Sequence, residues 1–343
     1  MKKLFVTIIT LFLISCLALA GCGQNTQDSS SGKTGSNSEN SGSAQKTFKI
    51  GISQYVEHPA LDSAREGFID GLKEAGFEEG KNILIEIENA QADFATALSI
   101  ANKFVSDKMD LILAIATPSA QSAAKVTKEI PIVITAVTDP VAAELVKSLE
   151  NPGTNVTGTT DMNPIKEQLA LLKEILHEAK EVGILYNASE ANSVVQVEIA
   201  KNAAQELGLN IVEDTVSNTS EVNQVAQSIA PRVDAFYIPT DNTVASAIGA
   251  VVKVCIDEKI PIIGSERGHV EGGALATLGI DYYLLGKQSG AIAARILNGE
   301  DPASIPIEGS KDLKLTINKG TAEALGINIP NSVMERVDEV IEK

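Results

Sequence analysis

The sequence predicts an α/β protein in which two doubly wound parallel-sheet lobes are joined by a multi-strand hinge. Three observations carry that prediction. Short apolar runs alternate with amphipathic helical patterns from Phe48 onward, the signature of βαβ units around a parallel sheet. The alternation runs through two consecutive series with a break near Thr160. A further strand and helix pattern then follows two complete lobes, so the chain crosses between them repeatedly, and several parallel linkers make a hinge.

The chain has 343 residues and 44% hydrophobic content, enough to bury more than one core. Its first segment is a leader: Lys2 and Lys3, then the mostly apolar stretch from Leu4 to Leu17, then Leu19-Ala20-Gly21-Cys22. It is too short to span a membrane comfortably and ends in small residues, as a cleaved signal does. Those last four residues resemble the lipobox of bacterial lipoproteins, which implies that Cys22 becomes the lipid-modified N-terminus and anchors the protein to the outer face of the cytoplasmic membrane. Residues 23–46 are nearly all Gly, Ser, Asn, Gln and Thr with scattered charge. Such a segment cannot bury enough surface to fold and reads as a flexible tether with a root-mean-square span of roughly 25–30 Å. Cys16 leaves with the leader and Cys22 carries lipid, so Cys255 stands alone and neither a disulfide nor a cysteine metal site is expected.

The first lobe is expected over residues 47–160 plus 273–310. It opens with a strand at Lys49-Ile50-Gly51-Ile52, a helix around Ala60 to Ala75 ended by Gly76, a strand at Ile83 to Ile87 and a helix from Phe94 to Asp107. Leu111 to Ala116 is an apolar run suited to a strand buried on both faces, followed by Thr117 as N-cap and Pro118 at the first helical position. That turn aims free amides beyond the sheet edge, which suits a carboxylate. The same grammar recurs where Ile130 to Val137 ends in Thr138-Asp139-Pro140 before a helical pattern at Val141 to Leu149, and Val156 to Thr159 closes the series.

The second lobe is expected over 161–272 plus 311–343. Its elements are a helix from Pro164 to Leu176, a strand at Val182 to Tyr186 and, after Asn187 to Ser193, a helix reaching Leu207. Next come a strand at Asn210 to Asp214, a helix from Glu221 to Ile229, a strand at Ala235 to Ile238 with the turn Thr240-Asp241-Asn242-Thr243, a long helix to Lys259 and a strand at Ile260 to Gly264. The tail adds a strand at Gly273 to Ile280, expected to return to the first lobe, a helix at Tyr283 to Leu297, a strand at Leu313 to Ile317 and a helix over Ser332 to Lys343.

In open α/β sheets ligands bind outside the carboxyl ends of strands, so these polar turns describe the wall of one site. Gln54, Thr117, Ser119, Thr138, Asp139, Asp161, Asn192, Asp241, Asn242, Glu266 and Asp281 all fall there. One or two of the acids Asp139, Asp161, Asp241, Glu266 and Asp281 can hold an ammonium, and the amides near Thr117 and Ser119 a carboxylate. Together they fit a zwitterion better than an anion, while each acid taken singly also suits capping or turn formation. Arginine is scarce, and only Arg267 lies near a predicted site loop.

The motifs Ile52-Ser53-Gln54, Glu57 to Asp62, Ala116 to Gln121, Ala136 to Val141, Pro239 to Asn242 and Gly279 to Tyr283 resemble those of ABC transporter substrate-binding proteins of the tryptophan/tyrosine-binding type, over roughly residues 48–343. The resemblance implies a type I periplasmic-binding-protein fold, two lobes closing on one amino acid-like molecule, aromatic in most assigned members, and delivery to a membrane permease driven by a cytoplasmic ATPase. A monomer without cofactor or metal is expected.

Several other functions are disfavoured. A formal charge of −17, or −19 once Lys2 and Lys3 are removed, argues against nucleic acid. Sugar binding is the closest rival within the fold and nucleosides stay open as well, but both want stacking partners, and the chain has no Trp; Tyr55 alone follows the first strand, and Tyr186, Tyr237 and Tyr282 read as packing residues. Catalysis lacks a G-x-S-x-G elbow, a phosphate-binding P-loop and a G-x-G-x-x-G turn. His58 and His269 can approach the cleft, whereas His177 sits at a helix end. A receptor for a membrane sensor kinase stays open beside transport.

Overall fold

The computed structural model describes residues 46–342 apart from Lys311, so the leader, Cys22 and nearly all of the tether lie outside the described residues. The first series contains β1 (Phe48–Gln54), α1 (Pro59–Glu74), β2 (Ile83–Asn89), α2 (Phe94–Ser106), β3 (Leu111–Ile115), α3 (Thr117–Val126), β4 (Ile132–Val137) and β5 (Val156–Thr160). The second contains α4 (Ile165–Ile175), β6 (Glu181–Tyr186), α5 (Ala191–Glu206), β7 (Asn210–Thr215), α6 (Val222–Ile229), β8 (Ala235–Ile238), α7 (Asn242–Ser246), α8 (Ile248–Glu258), β9 (Ile262–Gly264), α9 (Arg267–Glu271) and β10 (Ala276–Ile280). The tail adds α10 (Tyr282–Leu297), β11 (Glu308–Gly309), β12 (Leu313–Asn318), α11 (Lys319–Leu325), α12 (Asn331–Met334) and β13 (Glu339–Ile341).

Two sheets result. One runs β11-β5-β4-β3-β1-β2, all parallel; the other runs β13-β12-β10-β9-β8-β6-β7, parallel except where β10 meets β12. Every residue of β3 and β4 is buried, because helices cover both faces and an uninterrupted apolar run is what such strands need. The chain passes between sheets three times: from β5 to α4, from β10 to α10 and from β11 to β12.

The pairing corrects four expectations. Residues 273–280 do not return to the first lobe; β10 pairs with β9 and β12, and the crossing follows Ile280. An apolar strand reads alike whichever sheet it joins, so its own sequence does not say. Val141 to Leu149 is a series of turns, with Ala143 N–H bonded to the Asp139 carbonyl and Glu144 at φ +60°. Ser332 to Lys343 forms only the single turn of α12 before β13 adds to β12 in parallel. Thr117 is the first residue of α3 rather than its cap; Ala116 stands before the helix at φ +76°, and the Thr117 hydroxyl has no partner.

Helices α1 and α10 pack against each other unusually closely. A Cβ on Gly67 or Gly71 would strike the carbonyls of Tyr283 and Lys287, and one on Gly286 or Gly290 those of Ala64 and Phe68. This backbone-to-backbone seam fixes the second crossing to the first lobe.

Candidate functional site

The carboxyl ends of both sheets face each other across a tightly closed cavity with only about 10 Å³ of free space. From the first lobe come His58 and Leu61 at the start of α1, and Ala136 and Thr138 after β4. The register of β4 on β5 shifts between Ile134 and Val137, a bulge that carries Ala136 at φ +54° and turns the following residues toward the cleft. From the second lobe come Asn192, Thr240, Asp241, Asn242, Ala245 and Glu266; Asp161 and Tyr282 sit on the first two crossings.

Of the residues expected from sequence, Thr138, Asp161, Asn192, Asp241, Asn242 and Glu266 are thus brought together. Gln54, Thr117, Ser119, Asp139 and Asp281 do not line the cavity. Gln54 is a fully buried link: its amide donates to the Val56 carbonyl at 2.8 Å and to Asp62 at 2.9 Å, and its oxygen accepts from Arg65 at 2.5 Å. Ser119 accepts from Ser53 at 3.4 Å, below the first turn of α3. Asp139 accepts from the amides of Val141 and Ala142, closing its own turn. Asp281 caps α10 through the Leu284 amide and pairs with Lys314 at 2.8 Å. It borders a larger groove with about 200 Å³ of free space beside the crossings, but the charges there neutralise one another, Arg267 with Glu271 and Glu339 and Lys314 with Asp281. The enclosed cavity is the candidate because its own ionic groups lack counterparts.

Asp161, Glu190, Asp241 and Glu266 are all buried around it, and among the described residues no lysine or arginine lines it. Tyr282 donates to Asp161 Oδ2 at 2.6 Å, yet Asp161 Oδ1 has no partner. Glu266 Oε1 lies 3.7 Å from His58 Nδ1 and 3.5 Å from His269 Nε2, too far for good hydrogen bonds, and both imidazoles are otherwise unpartnered. Burial, then the nearby charge of Asp161, pushes the Glu266 carboxyl up to about 8. Burial likewise raises Asp161, and raises Glu190 and Asp241, which face each other. It lowers His58 to about 4 and His269 to about 3. The pocket is therefore rich in acceptors and poor in positive charge, suited to a cationic donor.

The sequence places Glu190 and Thr240 in the polar turns of the wall without singling them out, and Tyr282 reads there as packing. Glu190 stands directly before α5, as a cap would, but its partners are on α7.

Residues 49–341 match the family described as ABC transporter substrate binding protein. The chain belongs to that family. It is 46% identical over 324 residues, 94% of this chain and 92% of the relative, to a protein named Tyrosine-binding protein from Clostridioides difficile (strain R20291). Among solved structures, it is similar to the ABC domain in complex with L-Trp from Streptococcus pneumonia, with TM-score 0.84 and 38% identity over 86% of this chain and all of that one. A ligand-free, open substrate binding protein from Clostridium difficile is 49% identical over 87% of this chain and all of that one, yet superposes with TM-score 0.66. The family member described here thus resembles the liganded relative in shape more than the open one, despite the lower identity. Its lobes are shut: Asp161, Glu266 and Asp241 are at most 2% exposed. The fold is that of type I periplasmic binding proteins, and the chain is the substrate-binding component of an ABC transporter.

Proposed function

We propose that the protein captures an aromatic amino acid, tyrosine or tryptophan, between its lobes and hands it to the permease of an importer powered by a cytoplasmic ATPase. The observation that carries this reading is the unpartnered Asp161 Oδ1 beside Glu266, buried without a cation. An α-ammonium supplies the missing charge and N–H donors, each charge-assisted bond being worth about 1.5–3 kcal/mol. A ligand that bridges two lobes shifts an open population toward the shut one. The tyrosine-binding relative and the L-Trp complex support the same ligand class. The protein works as a monomer, held at the outer face of the membrane by lipid on Cys22 and stood off by residues 23–46. Among the described residues no helix is long and apolar enough to cross a membrane.

Calorimetric titration of the purified protein with L-tyrosine, L-tryptophan, glucose and adenosine tests the assignment. Saturable binding of the amino acids alone is expected. Binding of glucose or adenosine alone would leave the two-lobed capture standing and remove the amino-acid ligand.

A further inference from the structure

The second lobe's side of the cavity has a chemistry of its own, set from behind by a buried carboxylate. Glu190 is 1% exposed and both its oxygens are occupied. Oε2 accepts from the Asn242 amide N–H at 3.0 Å and from Asn242 Nδ2 at 2.5 Å; Oε1 accepts from the Thr243 N–H at 3.1 Å and its hydroxyl at 2.7 Å. Asn192 Nδ2 donates to the Thr240 carbonyl at 2.9 Å. It also lies 3.5 Å from Glu190 Oε2. The reverse orientation of either side-chain amide would press an oxygen against a carboxylate or a carbonyl, so the network dictates which way each one points. Both NH₂ groups are consumed by protein acceptors. Asn192 Oδ1 is left buried with no donor.

Sheet order separates Asn192 from Glu266. Asp281 and Tyr282 follow β10, Glu266 follows β9, Asn242 follows β8 and Asn192 lies beyond β6, in the order β10-β9-β8-β6. Two strand spacings, about 10 Å, lie between β9 and β6. Leu61, Ala136 and Ala245 contribute apolar or small surface to the cavity wall.

We propose that Glu190 is a positioning residue: it holds the NH₂ of Asn242, and helps hold that of Asn192, away from the cavity. The Asn192 carbonyl oxygen then meets the far edge of the ligand and selects aromatic rings bearing a donor, a phenol O–H or an indole N–H, over phenylalanine. The inference rests on the proposed function and adds the basis of its specificity. A site with buried acceptors rejects a ligand that cannot satisfy them, because they stay unpaired in the complex.

The test is titration of the protein with L-tyrosine, L-tryptophan and L-phenylalanine, in the natural sequence and in Glu190→Gln. The natural protein should prefer tyrosine and tryptophan to phenylalanine by about tenfold or more. In Glu190→Gln, whose amide cannot accept from all four donors, that ratio should fall toward one, with phenylalanine affinity changing least. Equal binding of all three by the natural protein overturns the proposal, and so does an equal loss for all three in the variant, which would mark Glu190 as merely structural. Asn192→Leu, which removes the acceptor while leaving Glu190 in place, decides the matter if Glu190→Gln does not fold: an unchanged ratio overturns the proposal. Failure of every amino acid to bind the natural protein would instead remove the functional reading itself.

Discussion

Helices α1 and α10 belong to two regions of opposite character. Along their bodies, four glycines bring backbone onto backbone with no room for a methyl group. At their N-terminal ends, His58 before α1 and Tyr282 at the start of α10 border a cavity whose carboxylate and imidazole atoms lack partners. The difference teaches how a binding cleft can hold unsatisfied groups without collapsing around them. Unpaired buried polar atoms favour any rearrangement that pairs them, and the seam denies α1 and α10 the freedom to rearrange. Rigidity in one stretch lets polar frustration persist in the next, until a ligand relieves it.

Breaking the seam should have the largest effect. Gly286→Ala puts a Cβ into the Ala64 carbonyl, where both neighbours are backbone and cannot yield cheaply. It should destabilise the protein by about 3 kcal/mol, read from the midpoint of denaturant unfolding. Gly249→Ala is the control: this glycine in α8 has nothing within 4 Å of the added Cβ, so the change should stabilise by roughly 0.5–1 kcal/mol. Equal effects at the two positions would mean that the seam relaxes.

Altering the cavity should act in the opposite sense. Asp161→Asn removes a buried carboxylate with one unpartnered oxygen, so the ligand-free protein should unfold no more easily than before. Amino-acid affinity should fall by about 1.5–3 kcal/mol, roughly 10- to 100-fold, by calorimetric titration. Unchanged affinity would remove Asp161 from the ammonium site.

Acidity sharpens the same contrast with a smaller effect. Glu266 is raised from an ordinary 4.5 to about 8, so between those values the folded protein holds a proton that the unfolded chain has lost, and stability falls as pH rises. His58 and His269, lowered from 6.5 to about 4 and 3, act oppositely, but only below pH 6.5, where stability is lost as pH falls. Between pH 6.5 and 8 the histidines are silent, and Glu190, raised to about 7 by burial and the facing Asp241, adds to Glu266 with the same sign. There the ligand-free protein should lose on the order of 1–2 kcal/mol, while amino-acid affinity rises because an ammonium favours the ionised carboxylate. Melting curves at both ends of the window, with and without tyrosine, check both signs, and Glu266→Gln should reduce the slope to the part that Glu190 contributes.

Much of this was legible because strands and βα turns are local. The apolar run before Thr117, the cap at Asp241 and the glycine stop after Leu207 announce themselves within a few residues. What was not legible depends on pairing across the chain. The seam joins residues 64–71 to residues 283–290, and nothing within either segment says that the other will meet it. Glu190 finds its partners 52 and 53 residues away. Above all, Asp139, Asp161, Asp241 and Asp281 occupy similar places after strands, and only the folded chain shows which of them spend their oxygens on nearby amides.

Asp281 gives that last distinction its test. Both it and Asp161 sit on a crossing between the sheets, one residue after a strand ends. Asp281 satisfies one oxygen with the Leu284 amide and the other with Lys314, which lines the outer groove beside it. Asp281→Ala should therefore cost about 1 kcal/mol for the lost cap, with little added by an exposed ion pair, and should leave amino-acid affinity within about twofold. The measurement is the same titration used for Asp161→Asn, beside an unfolding curve. A tenfold loss of affinity would mean that the start of α10 shifts when uncapped and takes the Tyr282 hydroxyl with it, away from Asp161 Oδ2. The cap would then belong to the binding machinery after all, and the boundary between the packed seam and the frustrated cavity would lie one residue earlier than the hydrogen bonds draw it.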